Sequence, residues 1–241
     1  MNPAVMVQGK GPDMAVSNST VVLAHGAWAD GSSWSKVVAG LRDAGVASVA
    51  APLPLTSLAD DVAALERTLE RVEGPVVLAG HAYAGAVIGA THGAKARALV
   101  YIAALAPDEG ETVAEVFYRA PPHPLAPKLA SDGHGLIWLP QDAFASAFAP
   151  DATAEEQAVL FAVQRPISPT CITVPVERPL WKDRPSWFLV AEHDRMIVRE
   201  TQDFMAGRMG AATRRGPFDH TPLVTAPEAV VGIILEAVRA L

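Results

Sequence analysis

The sequence predicts an α/β fold, with a doubly wound, mainly parallel sheet and an inserted helical cap, and three observations lead to this prediction. Short apolar runs alternate with segments of helical periodicity, which is typical of parallel strands joined by helical crossovers. Half of the 241 residues are apolar and 19% are charged, enough apolar material for one large core. Residues 105–181 are rich in proline and interrupt the alternation. One domain with an insertion accounts for this pattern.

A strand-helix-strand unit is predicted first. Thr20–Ala24 and Val46–Ala51 are short apolar runs that indicate buried strands. Between them, Ser32 or Ser33 can cap the first turn of a helix. Residues 1–19 precede this unit, show no periodicity and are predicted to form a flexible tail.

The next elements continue the alternation. Apolar residues recur at helical spacing over Ser57–Gly74, with a capping serine at the start. Val76–Ala79 is a continuous apolar run, as expected for a central parallel strand covered by helices on both faces. A helix of small residues over 83–95 and a strand at Ala98–Ala104 follow.

Residues 105–181 are predicted to form the cap. A structureless segment of this length is improbable inside a compact domain. We therefore expect helices within it, near Asp142–Phe148 and Thr153–Gln164.

The chain then returns to the core. Strands are predicted at Trp187–Ala191 and Thr213–Arg215, and a last helix at Glu228–Ala240. The predicted core thus comprises residues 20–104 and 182–241. Ligands bind such sheets at the carboxyl ends of the strands, so we expect the site in the loops that follow them.

Composition argues against several function classes. The net charge is −7, the pI is near 5.5 and no run of Lys or Arg occurs, so neither nucleic acid nor a membrane surface is an expected partner. Cys171 is the only cysteine, which excludes an internal disulfide. His123 and His134 lack further ligands at metal-site spacing, and no glycine-rich phosphate loop occurs, so we expect no metal and no nucleotide cofactor.

Location and assembly are less defined. Apolar stretches are far shorter than the ~20 residues needed to span a bilayer, and no export signal is recognisable. A cytoplasmic protein is therefore expected. The sequence is compatible with a homodimer.

The segment Leu78–Gly85 joins a predicted strand to a helix, the setting in which a G-x-S-x-G nucleophile elbow forms. Its central residue is Ala82, and Gly80 and Gly85 provide the small neighbours that this sharp turn needs. The alternative is an ordinary glycine-rich turn. The motifs described next favour the elbow.

The loop after the first strand supplies a second motif. His25-Gly26-Ala27-Trp28 can direct the backbone N–H of Ala27 toward the elbow, beside the N–H of Tyr83. Two donors placed in this way form an oxyanion hole.

Two later loops supply a candidate acid and base. Asp194 ends a predicted strand; its alternative role is to cap the next helix, and Asp108 is the second candidate acid. His220 lies after the last strand and is the candidate base. The order of residues 82, 194 and 220 matches the order nucleophile, acid, base of the hydrolases that use this elbow.

These residues resemble the α/β-hydrolase superfamily, specifically small bacterial esterase-like members related to the plant methyl-salicylate esterase and hydroxynitrile lyase group. The resemblance extends from Thr20 to Leu241 and rests on His25-Gly26-Ala27-Trp28-Ala29-Asp30-Gly31, the elbow from Gly80 to Gly85, Gln164-Arg165-Pro166, the strand before Asp194, and His220-Thr221-Pro222-Leu223.

The resemblance implies the α/β-hydrolase fold and a serine that attacks an ester carbonyl. His220 would take the proton of that serine, Asp194 would hold the imidazole, and Ala27 and Tyr83 would stabilise the oxyanion. Ala82 has no atom that can attack. In a related triad enzyme, loss of the serine lowers kcat by about 2 × 10⁶.

Two explanations for Ala82 remain open: a serine replaced to trap substrate, which the otherwise intact site favours, and a natural member that no longer forms an acyl-enzyme. The leading hypothesis is a nearly inactive form of a carboxylic ester hydrolase for small to medium apolar esters. One alternative is a lyase similar to hydroxynitrile lyases, with acid-base chemistry by His220 and Asp194. Another is a protein that binds its ligand without turnover.

Aromatic residues of the predicted cap give an indication of the substrate, because an apolar acyl or alcohol group suits such walls. The expected substrate-binding residues are Trp28, His81, Trp138, Phe144, Phe148, Phe161 and Trp181. The alternative is that the cap aromatics only pack the cap against the core.

Overall fold

A computed structural model describes residues 19–241, so the tail predicted for residues 1–19 lies outside the described residues except for Ser19. Within this part of the chain, parallel strands form one sheet in the order β2-β1-β3-β4-β5-β6. The strands are β1 Thr20–Ala24, β2 Ala47–Ala51, β3 Val76–His81, β4 Ala96–Ile102, β5 Ser186–Ala191 and β6 Ala212–Gly216. The predicted parallel sheet is confirmed.

Helices flank this sheet, and α1 packs against α9 and α2 against α3. The helices are α1 Ser35–Asp43, α2 Leu58–Glu70, α3 Ala84–Ala90, α4 Val113–Phe117, α5 Gln141–Ala143, α6 Ala154–Val163, α7 Arg199–Arg208, α8 Pro222–Thr225 and α9 Pro227–Arg239. No helix between residues 19 and 241 has the length and apolar character needed to cross a membrane.

The central strand and the helix before it follow the predicted pattern. All six residues of β3 are buried, because strands pair with it on both edges and helices cover the sheet. The Oγ atom of Ser57 accepts a hydrogen bond from the N–H of Asp60 at 3.0 Å, which caps α2 as predicted.

The start of α1 and the end of α3 differ from the prediction. Asp30, and neither Ser32 nor Ser33, caps the first helix: its Oδ1 accepts from the Ser32 N–H at 2.8 Å and begins a short 3₁₀ turn before α1. Helix α3 ends at Ala90, well before residue 95. The Glu66 carboxylate accepts hydrogen bonds from residues 91–93, which diverts the backbone there.

The insertion between β4 and β5, residues 103–185, contains three α-helices and a π-helix at Phe144–Phe148. The predicted helices near 142–148 and 153–164 are present. Helix α4 was not predicted. Its start is fixed by a capping box, in which Thr112 accepts from the Glu115 N–H at 3.1 Å and the Glu115 carboxylate accepts from the Thr112 N–H at 2.7 Å.

Candidate active site

The turn between β3 and α3 holds Ala82 in a left-handed conformation, with φ of 51°, which costs energy for a residue with a Cβ atom. Two backbone hydrogen bonds fix it: Ala82 N–H donates to Ile102 C=O at 3.2 Å, and Ala82 C=O accepts from Leu105 N–H at 2.9 Å. A methyl group at Gly85 would overlap the carbonyl oxygen of Leu105. The turn therefore has the tight geometry expected of a nucleophile elbow.

The loop after β1 approaches Ala82 closely. A Cβ atom at Gly26 would lie 3.0 Å from the Cβ atom of Ala82, so only glycine lets the loop come this near without a shift. The buried imidazole of His25 supports the loop, since Nδ1 donates to Gly26 C=O at 3.0 Å and Nε2 accepts from Leu53 N–H at 3.2 Å. Burial lowers the pKa of His25, which keeps this imidazole neutral.

Two backbone donors are available beside Ala82. The N–H groups of Ala27 and Tyr83 make no hydrogen bond to any other residue in the described range, and both residues line the same cavity as Ala82. The Tyr83 ring is held from behind, because its hydroxyl donates to the Asp61 carboxylate at 2.7 Å. The arrangement leaves both N–H groups available to a ligand oxygen.

His220 and Asp194 form a buried pair. His220 Nδ1 donates to Asp194 Oδ2 at 2.8 Å, and the two side chains are 3% and 0% exposed. Asp194 Oδ1 accepts from the N–H groups of Met196 at 2.7 Å and Ile197 at 2.9 Å. The side-chain amide of Gln202 donates to Oδ2 at 3.0 Å. The carboxylate is thus fully hydrogen-bonded and fixes the imidazole orientation.

His220 is supported from two sides. His81 Nε2 donates to the backbone carbonyl of His220 at 2.7 Å, and burial, followed by the nearby His220, lowers the pKa of His81 to about 3. The ring of Phe148 lies 5.2 Å from the imidazole, centroid to centroid. Next to His220, the buried Asp219 carboxylate accepts from Asp151 N–H of the insertion at 3.1 Å, and burial raises the pKa of Asp219.

An apolar cavity opens at these groups, and a mainly apolar wall is typical of small-molecule sites. Helix α4, other residues of the insertion and the loop after β5 form the rest of its wall. Its wall, as far as the described residues define it, contains no Lys, Arg, Asp or Glu. The lining residues are Ala27, Trp28, Ala82, Tyr83, Leu105, Val113, Ala114, Phe117, Tyr118, Leu129, Ile137, Ile167, Ile172, Met196, Ile197 and His220.

The structure brings most of the predicted core site together. Five predicted residues line the cavity: Ala27, Trp28, Ala82, Tyr83 and His220. Asp194 lies behind the imidazole of His220. Asp108, the second candidate acid, is instead paired with Lys182 at 2.6 Å and makes no contact with His220.

The predicted cap aromatics do not line this cavity, and their assignment to substrate binding stays a prediction. Phe144 packs edge-to-face on Phe148 and Phe161, with centroids 5.3 and 5.8 Å apart. Trp138 is 45% exposed, and the Trp181 indole donates to a backbone carbonyl of the insertion at 3.2 Å. His81 likewise lies under His220 and off the cavity wall. Of these side chains, Phe148 and His81 lie against His220.

Several wall residues were missed. Phe117 and Tyr118 lie at the end of α4, and Ile172 comes from a short 3₁₀ segment of the insertion. The spacing Thr112–Glu115 is a capping signal that could have revealed α4. Gln202 gave no such signal, because a single glutamine inside a helix belongs to no motif.

Comparisons with known proteins agree with this fold. A profile described as "Alpha/beta hydrolase family" matches residues 21–233. Among solved structures, the chain is similar to polyneuridine aldehyde esterase, with 17% identity, a TM-score of 0.78 and coverage of 90% of this chain and 98% of that chain. A pyrethroid hydrolase from Sphingobium faniae JZ-2 gives 19% identity and a TM-score of 0.76, covering 92% and 98%.

A third similar structure is a variant of tomato methylketone synthase I complexed with beta-ketoheptanoate, with 17% identity, a TM-score of 0.78 and coverage of 92% and 98%. At these identities the likeness establishes the fold alone. No curated protein sequence matches the chain significantly.

Proposed function

The chain belongs to the alpha/beta hydrolase family, and we propose that its site is that of a carboxylic ester hydrolase of the serine-esterase type in which Ala82 takes the place of the nucleophile. The observation that carries this proposal is the buried Asp194–His220 pair, whose imidazole reaches the cavity that Ala82 also lines. The proposed substrates are small to medium esters with apolar acyl and alcohol groups, because a charged group would lose its hydration in this wall without a partner.

Each residue has a defined task in the proposed site. The ester carbonyl oxygen accepts hydrogen bonds from the N–H groups of Ala27 and Tyr83, which would stabilise negative charge on that oxygen. Asp194 binds Nδ1 of His220 and leaves Nε2 directed to the substrate. With serine at position 82, Nε2 would take the hydroxyl proton as the oxygen attacks the carbonyl carbon.

Ala82 interrupts this sequence at its first step. The methyl group cannot attack, so the ester binds and stays intact, and only the residual rate from binding and the oxyanion donors remains. We accordingly propose that the chain as it stands is nearly inactive as an esterase.

The test is the Ala82→Ser variant, assayed with p-nitrophenyl butyrate. Its kcat/KM should exceed that of the unmodified chain by about 10³-fold or more. The matched control is Ala82→Ser combined with His220→Gln, which keeps the hydroxyl and loses the base, and should return to the unmodified level. An Ala82→Ser protein that folds and is no faster than the unmodified chain would contradict the proposal.

A second candidate reaction needs no nucleophile, and it is motivated by Ala82 together with the similarity to a methylketone synthase complexed with beta-ketoheptanoate. In a β-keto acid the bond between the α-carbon and the carboxylate can break, CO₂ leaves, and the electron pair moves to the ketone oxygen as an enolate. The N–H groups of Ala27 and Tyr83 would stabilise that oxygen. One proton from solvent, delivered through His220 Nε2, completes the methyl ketone.

This candidate is tested on the unmodified chain. Beta-ketoheptanoate should yield 2-hexanone and CO₂ faster than in buffer, and His220→Gln should abolish the gain, as measured by gas chromatography. Decarboxylation at the buffer rate would exclude it. Because Ala82→Ser is not involved, this outcome is independent of the esterase test.

A further inference from the structure

We propose that Gln202, on α7, is a positioning residue that fixes the Asp194 carboxylate and reduces the proton affinity of His220. The inference rests on the proposed role of the Asp194–His220 pair. It concerns a side chain that touches neither the cavity nor His220 itself.

The amide of Gln202 is fully buried and holds the loop that carries Asp194 at three points. Its Oε1 accepts from Ala191 N–H at 3.0 Å, and its Nε2 donates to Ile197 C=O at 2.7 Å and to Asp194 Oδ2 at 3.0 Å. The first contact lies at the end of β5 and the second beyond the acid. One amide therefore spans the turn from residue 191 to residue 197.

The contact with Oδ2 has a chemical consequence as well as a structural one. That oxygen also accepts the Nδ1–H of His220 at 2.8 Å. Each donor stabilises the charged carboxylate and draws negative charge away from the imidazole. Removing the Gln202 donor should leave Asp194 more basic and should therefore favour the protonated form of His220.

The other groups around His220 do not duplicate this effect. His81 packs against it with ring centroids 4.9 Å apart and remains neutral near pH 7, because burial lowers its pKa to about 3. Asp219 directs its carboxylate to Asp151 N–H, Thr221 N–H and the Thr225 hydroxyl. From the insertion the facing side chain is Phe148, which carries no charge.

The chain offers a matched control in Gln164. Its amide clamps one residue in the same way, accepting from Leu139 N–H at 3.1 Å and donating to Leu139 C=O at 3.3 Å, with no carboxylate partner. Gln202→Met and Gln164→Met each replace the amide by an apolar side chain of similar length. Both variants should lower the free energy of unfolding, and only Gln202→Met should change the pKa of His220.

The experiment is an NMR titration of the His220 Cε1–H signal, assigned by its loss in His220→Gln. Gln202→Met should raise the pKa of His220, so that its acid dissociation constant falls about threefold or more, whereas Gln164→Met should leave it unchanged. Gln202→Asn keeps an amide but shortens the side chain by one methylene, so that it no longer reaches Asp194 Oδ2, and it should likewise raise the pKa. This variant also tests the effect of Gln202 on the pKa of His220 if Gln202→Met does not fold.

An unchanged His220 pKa in Gln202→Met, or in Gln202→Asn if the methionine variant does not fold, would overturn the proposal. That result would leave the esterase proposal intact, because the titration uses no substrate. Conversely, an inactive Ala82→Ser protein would not alter the titration. In an active Ala82→Ser background, Gln202→Asn should move the acidic limb of the pH profile of kcat to higher pH.

Discussion

At the scale of single residues, the conformation of Ala82 depends on the absence of a side chain at Gly85. Gly85→Ala would press a methyl group against the Leu105 carbonyl and within 2.9 Å of the Ala104 Cβ atom. The backbone at Leu105 cannot move away from this methyl group without moving Ala82, because the Leu105 N–H donates to the Ala82 C=O. We expect Gly85→Ala to lower the free energy of unfolding by about 2 kcal/mol or more, measured by urea denaturation.

The control for this prediction is Gly232→Ala in the middle of α9. A Cβ atom there has no neighbour within 4 Å, and alanine favours the helix by about 0.5–1 kcal/mol. This variant should be slightly more stable than the unmodified chain. A Gly85→Ala protein of unchanged stability would show that the turn relaxes more easily than its backbone contacts imply.

The chain order of single residues explains why part of the site could be predicted from the sequence. Ala82, Asp194 and His220 each end a strand or a loop in a fixed chain order, so their relation could be inferred without coordinates. Gln202 could not be found, because its partner oxygen belongs to Asp194 and the contact depends on how α7 folds back on that loop. The orientation of His81 could not be inferred for a similar reason: its position next to Ala82 says nothing about which way its ring points, and the ring bonds to the His220 carbonyl.

At the scale of elements, Asp61 connects α2, the elbow and the insertion. Its buried carboxylate accepts from Leu55 N–H at 2.7 Å, from the Tyr83 hydroxyl at 2.7 Å and from the Cys171 thiol at 3.7 Å. Burial outweighs these donors and raises the pKa of Asp61. A folded-state pKa above the unfolded value means that the contribution of Asp61 to stability is fully present below about pH 4 and is lost as the pH rises through the raised value.

Asp61→Asn removes this dependence and keeps an acceptor for Leu55. The stability of the unmodified chain relative to Asp61→Asn should therefore fall as the pH rises above about 4, as followed by urea denaturation. The neighbouring Asp60 is the control. Hydrogen bonds from Ser57 and then Thr56 lower its pKa, so its contribution to stability is lost only as the pH falls below about 4, and the comparison with Asp60→Asn should be flat above that pH. A parallel trend for both variants would contradict the assignment of Asp61.

Among the elements, the strands were predicted best and the insertion least well. The apolar run at Val76–Ala79 indicates a buried strand from local sequence alone, and β3 extends it by only two residues. Helix α4 has five residues, too few for periodicity to be visible. The cap of the first helix was misassigned to Ser32 or Ser33. The carboxylate of Asp30 accepts the hydrogen bond from the Ser32 N–H instead.

At the scale of the whole molecule, the cavity combines residues from both the sheet and the insertion, so no local pattern could predict its wall. The aromatic side chains of the insertion looked suited to a ligand, yet Phe144, Phe148 and Phe161 pack on one another. The wall is built instead from smaller apolar residues such as Ile137 and Ile172. Its mainly apolar character is a property of the assembled fold.

A neutral ester should stabilise the whole chain, and the matching carboxylate should not. In the proposed site Ala82 would keep a bound ester intact, and a ligand at 100 times its Kd adds about 2.7 kcal/mol to the free energy of unfolding. We expect methyl phenylacetate to raise the Tm at pH 7.5 and phenylacetate to leave it unchanged, because the wall offers the anion no Lys or Arg within the described residues. Phe117→Ala, in the wall, should weaken the effect of the ester, whereas Trp138→Ala, outside it, should not. An equal rise in Tm with phenylacetate would favour the β-keto acid reaction over ester hydrolysis, since that reaction requires the cavity to accept a carboxylate.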